Sequence, residues 1–132
     1  MALTDFSTRA RDALLKRFPE FIPYTHVAPD GSSIEIRFPH PSGTRELMIT
    51  TEHDEVSIFF DHTHRHIGMC QNLPVDEHIR QAEQFLADLF SGTMPLVRDA
   101  RSPHLQFYDD PSVWGHDPDE KLTFMTWHNL AT

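Results

Sequence analysis

The stretch "VSIFFDHTHRHIG", residues 56–68, decides how the fold is read. Val56, Ile58 and Phe60 occupy alternate positions, the pattern of a strand with one buried face. The same two-residue step continues through His62, His64 and His66. Read as a single strand, the segment puts the three imidazoles on the core face and Asp61, Thr63 and Arg65 on the other. A bulge at Asp61 would exchange the faces.

Two more strands precede it. "SIEIRF" (33–38) alternates Ile34, Ile36 and Phe38 with Glu35 and Arg37, and "RELMIT" (45–50) turns Leu47 and Ile49 inward. Met48 and Phe59 then lie on the face opposite the core stripe. The turns "PHPSG" and "TEHDE" are short, so the three strands form an antiparallel meander. Upstream, residues 4–17 read as a helix capped by Thr4 or Asp5, with Phe6, Ala10, Ala13, Leu14 and Phe18 on one stripe. Pro19 and Pro23 end it.

Downstream, residues 74–91 repeat Val75, Ile79, Ala82, Phe85, Leu86 and Leu89 at helical spacing. Pro74 and the acids Asp76 and Glu77 open that helix, and Gly92 follows its end. "PLVRDAR", "HLQFYD" and "KLTFMTWHN" are further strands, the last two separated by an exposed loop, "DDPSVWGHDP". Trp127 alternates within an apolar strand and reads as core, whereas Trp114 sits in the loop. The expectation is α+β, in the order α-β-β-β-α-β-β. A single antiparallel sheet of five or six strands carries the helices on one face, and one domain spans residues 1–132.

Composition narrows the function. The 132 residues include twenty Asp and Glu against eleven Lys and Arg, a formal charge of −9. That sign opposes nucleic-acid binding. It suits solubility and fast encounter with basic partners. The acids cluster at Glu52, Asp54, Glu55 and Asp61, and again at Asp109, Asp110, Asp117, Asp119 and Glu120. No segment reaches the ~18–20 apolar residues of a membrane span, and the start lacks the apolar run of a signal peptide. One cysteine, Cys70, permits no internal disulfide. The expected compartment is the cytoplasm.

The histidine row admits three readings. Imidazoles two residues apart can share a metal ion, with His104, His116, His128 or Cys70 as further ligands. This would make a small metal-dependent hydrolase built on His62, His64 and His66. Paired histidines can also exchange protons without metal, but such a nuclease needs cations to hold phosphate, and only Arg65 lies beside the row. In the third reading the row is a polar, partly aromatic recognition patch. The absence of HExxH and paired-cysteine motifs favours the third.

The order of features resembles small bacterial immunity proteins of contact-dependent growth inhibition and related polymorphic toxin systems. The likeness is carried by "FPEFIPY" after the first helix, by "DGSSIEIRFPHPSG", by "LMITTEHDEVSIFFDHTHRHIG" and by the helix "AEQFLADLFSG". It covers roughly residues 15–95. It implies a non-enzymatic protein that binds and neutralises a cognate toxin domain, with no catalytic residue, cofactor or metal. Many such toxins are nucleases with basic clefts, which an acidic inhibitor would fill in place of phosphate. The expected toxin contacts are Glu52, Asp54, Glu55, Asp61, His62, His64, Asp109, Asp110, Trp114 and Asp117.

Overall fold

The computed structural model describes residues 2–68, 72–101, 104–109 and 121–130. Helix α1 (Asp5–Arg17) starts where the Thr4 hydroxyl accepts the Ser7 N–H, leaving Asp5 in the first turn. A 3-10 turn (Pro19–Tyr24) follows, in which the prolines deny the chain further α-helical bonding. Then come β1 (Thr25–Val27), β2 (Ile34–Pro39), β3 (Glu46–Thr50), β4 (Ser57–Phe60) and β5 (Thr63–His66), each antiparallel to the next. Helix α2 (Val75–Ser91) ends at Gly92, whose φ of 83° is left-handed. A Cβ there would also press within 3.2 Å of Thr126, so glycine is favoured on both counts. The last strands are β6 (Leu96–Asp99), β7 (Gln106–Phe107) and β8 (Leu122–Met125).

The α+β class and the antiparallel pairing agree with the sequence reading. Two expectations are corrected. The first concerns 56–68, which is a hairpin rather than one strand. β4 and β5 are joined by the two-residue turn Asp61-His62, with Asp61 at φ 54°. An aspartate tolerates the left-handed region better than most residues, and a tight hairpin needs a positive φ at its tip. Reversal changes the phase. Phe59 lies opposite His64 and Ser57 opposite His66, while Arg65 lies opposite Ile58. His64 and His66 therefore stand on the face away from the core, and Thr63 and Arg65 share the core side.

The second correction concerns the sheet, since there are two. β1-β2-β3-β4-β5 form one, and β7-β6-β8 form another. β5 folds back onto β4 and ends the larger sheet as its edge strand. The C-terminal strands pair among themselves. β1 was not anticipated; its three residues carry no alternation long enough to register as a strand.

One continuous core joins these parts. Phe6, Ala10 and Leu14 of α1 and Ile79, Ala82, Leu86 and Leu89 of α2 cover Ile34, Ile36, Leu47, Ile49, Ile58 and Phe60 of the larger sheet. Leu96, Phe107 and Met125 bring the smaller sheet into the same cluster. Trp127 is buried as expected, its ring 5.1 Å from both Phe60 and Phe90. Each large side chain so buried contributes about 1.5–3 kcal/mol. Among the described residues no helix packs on the opposite face of the five-stranded sheet, and none is long and apolar enough to cross a membrane.

Candidate functional site

That helix-free face follows directly from the register. One row across it reads His26, Glu35, Thr50, Ser57 and His66, and the next reads Arg37, Met48, Phe59 and His64. Met48 and Phe59 are half-buried neighbours on adjacent strands, and His64 stacks on Phe59 with ring centroids 5.6 Å apart. The imidazoles of His64 and His66 meet edge to face at 5.0 Å. The result is an aromatic strip with polar margins.

His66 has a serine and a glutamate beside it, the residue types of a nucleophilic triad. The geometry serves a different end. Ser57 Oγ and Glu55 Oε1 both lie 2.7 Å from the same ring nitrogen, Nδ1. A relay would place the acid and the hydroxyl on opposite nitrogens. Ser57 is also only 4% exposed. The trio anchors β5 to the start of β4.

At one margin of this face the chain forms an acidic cleft of about 230 Å³. Asp30, Glu35 and Glu52 line it beside Ser33 and Thr50. The Ser32 N–H and hydroxyl both donate to Asp30, and they hold its carboxyl below the usual aspartate range. Glu35 also meets Arg37 at 3.4 Å, whereas Glu52 is exposed on a 3-10 turn (Glu52–Asp54). A larger groove of about 490 Å³ runs between β5 and α2, and both of its arginines are paired. Arg65 grips Asp109 with two nitrogens, and Arg80 pairs with Glu77.

The expected contact residues do not form one surface. Glu52 faces the acidic cleft. Asp54 accepts a bond from the Thr4 hydroxyl at 2.9 Å, and Glu55 is engaged by His66. Asp61 turns inward: its Oδ2 accepts the Leu105 N–H at 2.7 Å, with Arg45 Nε 3.9 Å away. Asp109 is neutralised by Arg65. Asp110, Trp114 and Asp117 lie outside the described residues, as does Cys70. The row His62, His64, His66 is split. His64 and His66 stay on the sheet face, while His62 at the hairpin tip meets His104, ring centroids 3.7 Å apart.

Sequence reasoning missed Asp30 and Glu35 as members of the cleft. Asp30 lies in the "APDGSS" turn and Glu35 in the next strand, so antiparallel pairing alone brings them to Glu52. It also missed His40, which is 5% exposed. Its Nδ1 accepts the Ser42 N–H at 3.0 Å, so Nε2 carries the proton and donates to the Trp127 carbonyl at 2.6 Å. This bond spans 87 positions of sequence, and no local pattern signals it. Comparison of the chain with protein-family models, with curated proteins and with solved structures finds no match.

Proposed function

We propose that the chain is a non-enzymatic immunity protein, which binds a cognate bacterial toxin domain in the cytoplasm and blocks its active cleft. The acidic cleft of Asp30, Glu35 and Glu52 supports this reading, because it opens beside a sheet face that no helix among the described residues covers. The cleft offers carboxylates to a lysine or arginine. The Met48–Phe59–His64 strip offers flat apolar and aromatic area around which a partner could close. A net charge of −9 would speed encounter with a basic enzyme. The contact set derived from sequence is accordingly revised. Glu52 and His64 stay in it, Asp30, Glu35 and Phe59 enter because they line the cleft or the aromatic strip, and Asp61 and Asp109 leave because they lie at neither.

The test is to co-express the chain with a toxin domain encoded immediately upstream and to measure association and dissociation rates. Glu52→Lys combined with Asp30→Lys should slow association at least about tenfold at low salt, with little change in dissociation. Raising ionic strength should shrink the difference, since the Debye length falls from about 10 Å at 0.1 M to about 3 Å at 1 M. Absence of a toxin, or of binding, sinks the immunity reading. Tight binding with the wild-type rate in the reversed variant moves the surface elsewhere.

A further inference from the structure

The hairpin tip gathers a second set of groups, independent of the acidic cleft. The geometry points to a divalent transition-metal site, with zinc as the ion its donors suit, formed by Asp61, His62 and His104. One donor atom from each of the three lies within 4.8 Å of the others, and among the described residues this is the one such gathering of histidine, cysteine or carboxylate groups. Two imidazoles and a carboxylate are a donor set that zinc accepts, at about 2.0–2.2 Å per bond. Donors around such an ion stand roughly 3.4 Å apart if tetrahedral. Closing the cluster thus takes shifts of about 1 Å, within reach of rotation of the His62 and His104 rings toward the held carboxylate.

The site is set up by elements far apart in sequence. The tight turn at Asp61-His62 sets both residues at the end of the β4–β5 ladder, with His62 exposed and the Asp61 carboxylate turned in toward Leu105 and Arg45. The Leu105 N–H fixes one carboxylate oxygen of Asp61, which orients the group as an outer partner does in metal sites. The same contact carries the preceding residue, His104, to His62. The two rings touch, at 3.7 Å between centroids, and must part slightly to take one ion between their nitrogens. Three protein ligands would leave a coordination position for water or for a partner's side chain. A bound ion would fasten the turn of the larger sheet to the segment entering β7 of the smaller one. His64 and His66 have no part in the site.

The test uses untagged full-length protein stripped with chelator and titrated with Zn²⁺ by calorimetry, and with Co²⁺ by visible absorption. About one equivalent should bind, and melting temperature should rise with zinc concentration, as linkage requires. His62→Gln and His104→Gln should each weaken binding at least about tenfold. The double variant His64→Gln/His66→Gln should bind as the wild type does. Histidine ring resonances supply a readout that needs no variant: those of His62 and His104 should move on addition of zinc while those of His64 and His66 stay. No binding at stoichiometric concentrations, binding unaffected by both single variants, or binding lost in the double variant would each overturn the proposal.

Discussion

His40 shows how much one residue contributes when both its ring nitrogens are used. It sits at the end of the β2–β3 hairpin, bonded to Ser42 on one side and to the Trp127 carbonyl on the other, with the Trp127 ring edge-on at 4.5 Å. Replacing His40 with alanine leaves that carbonyl buried and unpaired, a loss of about 1–3 kcal/mol before any cavity is counted. Equilibrium denaturation of the His40→Ala protein should show this loss as a lower midpoint with an unchanged slope. The sequence labels His40 only as part of a turn, "PHPSG", because a hydrogen bond to a residue so distant leaves no trace in local pattern. Trp127 was legible as core, yet its partner was not.

At the scale of the element, α2 is the clearest case of local legibility. Its apolar spacing, acidic first turn and following glycine all specify the helix that forms. What it does beyond covering the sheet depends on His78, whose Nε2 accepts the Val56 N–H at 3.1 Å and whose ring stands edge-on to Phe6. Burial pushes this histidine below its usual pKa, and the charge of Glu55 opposes the shift only in part. The folded protein therefore prefers the neutral ring. Between the lowered value and about 6.5 the unfolded chain holds more protons, so stability rises with pH across that window. The contribution is complete above about pH 6.5 and is lost as pH falls through the folded-state value. In His78→Gln, whose amide oxygen can still accept the Val56 N–H, the curve of stability against pH should be flatter over that range. An identical slope in the two proteins would show that His78 does not control it.

Across the whole molecule, the two sheets are held by side chains rather than by backbone ladders. Trp127 contacts Phe60 of the larger sheet, Phe90 of α2 and His40 of the hairpin, and Phe107 packs edge-on against Phe85 at 5.0 Å. Arg65 reaches from β5 to Asp109 and over the Phe107 ring. Trp127→Ala should cost about 3–5 kcal/mol. Because one core cluster spans both sheets, unfolding should remain a single transition by fluorescence and by circular dichroism. Separate transitions would mean that the smaller sheet is an independent unit.

Local pattern determined the α+β class, both helices with the glycine that stops the second, the strands near 33–38 and 45–50, and the inward stripe of Val56, Ile58 and Phe60. These depend on periodicity and on interactions a few residues apart, which the order of amino acids states directly. The histidine row shows where that information ends. A period of two is the same whether the chain runs straight or doubles back, and "DH" is a weaker turn signal than "NG" or "DG". Only the tertiary structure decided that Asp61 adopts a left-handed turn pinned by Leu105, and that single reversal set the rest of the row. It moved His64 and His66 to the outer face and sent His62 to His104. The acidic cleft is likewise a tertiary feature, though independent of that turn, since Asp30, Glu35 and Glu52 meet through strand pairing between residues that are not neighbours in sequence.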